Sequence, residues 1–147
     1  WFLVYIPMLL TVVAASYPIG KFIDKKGMKL PLAIGPCLLF ISSLLYISGN
    51  LLSVTISMAL LGLVHLLIMS SGMALSACLV EPQNRGKVRG GLNFVGYIFT
   101  GVGMLLGNLF YDFIPQLPFY LTMSLTIPMV MIVVLRIREP TKEERKF

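Results

Sequence analysis

The sequence predicts an all-α, polytopic membrane protein of five transmembrane helices, and three observations carry that expectation. Of 147 residues, 57% are hydrophobic and only 12% are charged, where a soluble domain carries about 25% charged residues. The apolar residues gather into five runs, each close to the ~20 residues that a helix needs to cross about 30 Å of hydrocarbon. The basic residues fall only in gaps between alternate runs and in the tail. Bilayer lipid, not water, is the solvent such a surface fits.

The first run, residues 1–20, is uncharged and closes on the break Pro18-Ile19-Gly20. A basic loop follows over 21–29. The second run, 30–48, ends at the turn pair Gly49-Asn50. The third, 51–80, holds one ionisable candidate, His65, and is long enough to tilt or protrude. A polar loop, 81–90, contains Pro82 and two glycines. The fourth run is 91–111, and a proline-containing turn, 112–118, leads to the fifth, 119–135. A charged tail, 136–147, completes the chain. Buried strands are excluded by the length of the runs and the lack of period-two alternation. An open sheet would also leave backbone groups unpaired in lipid.

Orientation follows from Lys and Arg. The loop after the first span holds Lys21, Lys25, Lys26 and Lys29; the loop after the third holds Arg85, Lys87 and Arg89. The tail holds Arg136, Arg138, Lys142, Arg145 and Lys146, so the two opposite connections hold none. The positive-inside rule makes the basic segments cytoplasmic and places Trp1 outside. The expected location is the cell membrane, spanned several times. The same distribution argues against nucleic acid as the reason for the net charge of +6, because no basic face is formed. Tyr5, Tyr46, Tyr111, Phe113 and Phe119 lie near the expected interfaces, as belt anchors or packing aromatics.

Chemistry-bearing clusters are few. Cys37 and Cys78 sit in apolar runs without a CxxC or Cys/His pattern, and are expected to be reduced and buried. No metal-ligand spacing, phosphate loop or Ser/His/Asp set is visible, so no cofactor, metal or enzyme activity is expected. The start at Trp1 lacks a basic n-region and does not read as a signal peptide. It reads as a chain entered in its middle.

The first basic loop reads Gly20-Lys21-Phe22-Ile23-Asp24-Lys25-Lys26-Gly27-Met28-Lys29. Gly20 would let a helix end turn and approach a neighbour. Asp24 could accept hydrogen bonds from a helix N-terminus. Gly27 would supply a backbone angle other residues resist. Lys25 and Lys29 help hold the loop on the cytoplasmic side. This pattern resembles the loop signature of the major facilitator superfamily, with Met28 standing where a basic residue is usual. The stretch Arg85-Gly86-Lys87-Val88-Arg89-Gly90 is similar to the family's basic loop before its eleventh helix. The third span lacks the family's intramembrane Arg, and no proline follows Gly101 or Gly103, so the resemblance implies helices eight to twelve, a partial major-facilitator-type bundle. It further implies alternating access between two six-helix halves, with Asp24 docking on an N-terminal half outside this sequence.

Two helical faces carry the candidate site. Met58, Gly62, His65, Met69, Gly72 and Ser76 share one face of the third span, three or four residues apart. His65, near its middle, is a functional candidate for binding solute or carrying a proton; a histidine hydrogen-bonded within the bundle is the plainer alternative. Asn93, Tyr97, Thr100, Met104 and Asn108 share a face of the fourth span, where amides and phenols can orient a ligand or bond to another helix. Gly96, Gly103 and Gly107 lie on another face, the latter two forming a GxxxG pair expected to pack closely on a neighbour. Pro7, Pro36 and Pro128 are expected to kink their spans. The resulting expectation is a secondary transporter of a small solute, possessing a proton-coupling candidate in His65. Its alternative is a non-transporting membrane subunit or scaffold that packs with a partner.

Overall fold

A computed structural model of the chain describes residues 2–141, with side chains from residue 5. Trp1 and the tail residues Lys142, Arg145 and Lys146 lie outside the described residues. Five long helices account for the architecture: α1 Phe2–Lys26, α2 Lys29–Ile47, α3 Leu51–Leu79, α4 Arg85–Phe113 and α5 Leu117–Arg136. A single 3₁₀ turn, Pro82–Asn84, stands between α3 and α4. All five helices are long and apolar enough to cross a bilayer, and among the described residues there is no strand.

The helices overrun the apolar runs at the basic end. α1 continues through Pro18 and Gly20 to Lys26, so the break expected at residues 18–20 does not form. A proline in a membrane helix can be accommodated by local adjustment of the freed backbone groups. Lys25 and Lys26 in the last turn complement the negative end of the dipole. The turn is delayed to Gly27, whose φ of 94° is open to glycine and costly to other residues. α4 likewise begins at Arg85, so residues 85–90 of the expected polar loop form roughly its first one and a half turns. At the opposite end Gly49 takes φ 68°, and Asn50 caps α3 by accepting from the Leu52 amide at 3.4 Å. Pro118 sits in the first turn of α5, where its missing N–H leaves nothing unsatisfied.

α3 is the central element, packed on α1 along one side and α2 along another. α2 packs in turn on α5, and α4 leans on α5 and on the end of α3. Many residues inside these contacts are small, beside a buried apolar set that includes Ile23, Leu32, Val64 and Leu67. Ser42, Ser43, Ser57, Ser71, Gly35 and Gly62 are buried, together with Pro31 and Pro36. Large side chains such as Leu9, Leu10, Val13, Phe94 and Phe99 point outward. In lipid there is no hydrophobic gain from pairing leucines, so helices associate through close approach and interhelical hydrogen bonds.

Two glycines make the closest approaches. A Cβ on Gly62 would lie 2.7 Å from the Met8 carbonyl oxygen of α1, and one on Gly35 would lie 2.7 Å from Ile68 Cγ1 of α3. The expected packing glycines behave differently: a Cβ on Gly96, Gly103 or Gly107 meets nothing within 4 Å. α4 has no buried residue among those described; Gly103 and Gly107 face α5 across a gap of about 230 Å³ and not in close contact. Between α2 and α3, Ser42 Oγ donates to the Ser57 carbonyl at 3.0 Å and Ser57 Oγ to the Ser42 carbonyl at 2.8 Å. Tyr46 and Phe119 stack on each other, with ring centroids 4.5 Å apart, and join α2 to α5. Cys37 is exposed on the outward face of α2 and Cys78 is half-buried, correcting the expectation that both are buried.

Candidate functional site: a cavity between α1 and α3

His65 stands at the middle of α3, the fifteenth of its 29 residues. It faces a cavity of about 430 Å³ between α1 and α3, with Tyr5 and Met8 on one wall and Met58, Leu61 and Met69 on the other. The helical repeat explains the wall. Met58, Leu61, His65 and Met69 are separated by three or four residues, so they form a continuous stripe. Gly62, beside that stripe, brings α1 close and is buried in the contact. His65 and Tyr5 are both exposed at the open side of this space and have no hydrogen-bond partner among the described residues. These are the two titratable groups on the wall.

Two further cavities adjoin this one. A space of about 180 Å³ between α3 and α4 is lined by Ile68, Met69, Ser76, Arg89 and Asn93. Ile68 and Met69 belong to both walls, so Asn93 neighbours the His65 cavity across Met69. Tyr97, one turn further along α4, is exposed, and so are Thr100, Met104 and Asn108. On the other side a space of about 270 Å³ is lined by Ser42, Ser57, Tyr46, Phe119 and Thr122. Met58 and Leu61 line it too, forming the partition from the His65 cavity.

At the basic end the loop signature is arranged differently from the expectation. Asp24 lies in the last turn of α1, exposed, and accepts no hydrogen bond among the described residues. The last turn of a helix is the wrong end for an acid to satisfy that helix's own amides. The amides at the start of α2 are taken instead by Glu139, from beyond α5. Its Oε1 accepts from the Met28 amide at 2.8 Å and its Oε2 from the Lys29 amide at 2.7 Å. Lys29 Nζ donates back to the Val134 carbonyl at 2.7 Å, in the last turn of α5. α2 has no acidic residue in its first turn and no side-chain cap of its own. Pro31 contributes no N–H, which leaves fewer amides to satisfy. Gly20 is an ordinary helical residue with open space where a Cβ would stand, so it makes neither a turn nor a close approach. Lys25 is exposed. Across the basic end, Arg85 Nε donates to the Val80 carbonyl at 3.2 Å, and Arg89 reaches the Met73 sulfur at 3.5 Å.

Sequence reasoning missed Glu139, Tyr5, Met8 and Gly35. A signal for Glu139 was present: an acid just beyond the fifth span, and a second span that opens on Lys-Leu-Pro without an acidic cap. Tyr5 and Met8 carry no such signal, because only the pairing of α1 with α3 selects them from the apolar residues of the first run.

Five membrane-length apolar helices with large apolar residues over their outer faces define a multi-pass integral membrane protein, and a mid-helix histidine facing a cavity gives it a polar point on an apolar wall. Residues 2–147 match the family model of the Major Facilitator Superfamily. The chain belongs to this family, whose members are membrane transporters and not enzymes. No curated protein and no solved structure compared with the chain gave a match.

Proposed function

We propose that the α1–α3 cavity is part of the solute path of a secondary transporter that works by alternating access, and that His65 couples transport to protons. The observation that carries this reading is an unpartnered imidazole at the middle of a membrane-length helix, facing a cavity of about 430 Å³. An ionisable group is costly in a membrane helix and marks solute or proton pathways. Imidazole changes charge in the physiological pH range. Asn93, next to the cavity across Met69, and Tyr97, on the open face of α4, complete the proposed polar lining. The chain supplies helices eight to twelve in this reading, the three basic segments are cytoplasmic, and the membrane is that of the cell. The open face of α4 meets the remainder of the transporter, and Asp24 docks there.

Uptake by the intact transporter tests this. Asp24→Asn is expected to slow uptake while leaving membrane insertion unchanged, and wild-type uptake kinetics would refute its gating role. His65→Ala is expected to abolish the pH dependence of uptake. An unchanged pH profile would remove His65 from proton coupling and shift attention to groups beyond this chain.

A further inference from the structure

Resting on that reading of the cavity, we infer that its solute is an amphipathic organic acid: an apolar body seated on Met8, Met58, Leu61 and Met69, with a carboxylate head held by His65. Size is the first argument. The space, about 430 Å³ and open on one side, with Tyr5 and Met69 half-exposed, has room for an organic body and far exceeds the space a bare metal ion fills. Polarity is the second. Tyr5 and His65 are the only residues on this wall with a side-chain N–H or O–H, and the rest are aliphatic or thioether groups. A polyhydroxylated solute would leave most of its hydroxyls facing carbon and sulfur, and polar groups that give up water without a partner bind poorly. A single imidazole on an otherwise apolar wall suits one compact head.

Charge is the third argument. The described acids, Asp24, Glu81, Asp112 and Glu139, lie at or beyond the ends of the helices, so no carboxylate faces the cavity to balance an organic cation. The His65 ring, without a partner among the described residues, can donate to a carboxylate, and a bond to a charged acceptor is the stronger kind. The three methionines add breadth. Their thioether chains are flexible and polarisable, and they adapt to bodies of different outline. The cavity therefore selects strongly for the head and weakly for the shape of the apolar body.

The test uses the intact transporter in lipid nanodiscs and proteoliposomes, with protein-free particles to subtract partitioning into lipid. Three probes are compared: 2-naphthoate, 2-naphthylmethylammonium and glucose. Naphthoate is expected to bind saturably and to be taken up. His65→Ala should weaken its binding about tenfold or more, and His65→Gln, which keeps an N–H donor, should recover part of the loss. Ile41→Leu, on the exposed face of α2 and not part of this wall, should leave binding within about twofold. Saturable uptake of glucose or the ammonium probe in place of naphthoate would overturn the solute class and leave the transport reading standing. So would naphthoate binding that His65→Ala leaves unchanged in protein that inserts normally. Saturable, His65-dependent binding of naphthoate without uptake would uphold the ligand class and overturn the transport reading.

Discussion

Replacing Glu139 by Ala removes both acceptors at the start of α2. The bonds it breaks are 2.8 and 2.7 Å long and run from backbone amides to a carboxylate. A hydrogen bond to a charged group contributes about 1.5–3 kcal/mol, and the favourable charge near a helix N-terminus adds about 0.3–1 kcal/mol. Glu139 is only half-buried, and water can replace part of what is lost, so about 2 kcal/mol for the whole clamp is the reasonable scale. That corresponds to about 30-fold easier local opening. Hydrogen exchange reads it directly: the Met28 and Lys29 amides are expected to exchange about 30-fold faster in Glu139→Ala. Glu139→Gln keeps one acceptor oxygen and should show a smaller acceleration, about fivefold. Amides in the middle of α3 should be unaffected in both. Unchanged exchange at Met28 and Lys29 would refute the clamp. Equal acceleration throughout α3 would mean that the substitution loosens the bundle as a whole and that the local reasoning is wrong.

The two kinds of glycine should part company on substitution. Gly62→Ala sets a Cβ 2.7 Å from the Met8 carbonyl; the backbone of α1 must move, and a loss of about 1–3 kcal/mol is expected in detergent unfolding. Gly103→Ala meets open space and should be neutral or stabilising by up to about 1 kcal/mol through helix propensity when the chain is assayed alone. A double-mutant cycle on Ser42→Ala and Ser57→Ala should give a coupling of about 0.6 kcal/mol and no more than about 1.7 kcal/mol, the range for interhelical hydrogen bonds in membranes. A coupling of zero would show that the reciprocal serine bonds do not hold α2 to α3.

The helices were legible because length and lack of charge are properties of each run alone. The bilayer imposes them before any tertiary contact forms, so His65 could be recognised as the exceptional group of the third run. Helix ends were less legible. The apolar run marks where lipid would stop, while α1 continues to Lys26, with no breaker after Gly20, and α4 begins at Arg85 despite Gly86 and Gly90. Packing was the least legible. Gly103 and Gly107 have the spacing of a packing motif but stand across a gap from α5, whereas Gly62 and Gly35 lie against other helices without such a motif. Which glycine meets a neighbour depends on which helices pair, and that pairing leaves little trace in the order of residues along one run. The same is true of Glu139, whose role exists only because α5 ends beside the start of α2.

The central claim is that the wall carrying His65 faces an aqueous solute path and not lipid. Met69 on that wall and Ile41 on the outward face of α2 have nearly the same exposure, 50% and 47%, so they differ in surroundings and not in openness. In the intact transporter, with Cys37 and Cys78 replaced by Ser, Met69→Cys and Ile41→Cys would each be treated with a water-soluble, charged methanethiosulfonate reagent. The account predicts that the cysteine at 69 is labelled and the one at 41 is not. Labelling at 41 but not at 69, or at neither, would contradict it, because the His65 wall would then face lipid or a sealed contact.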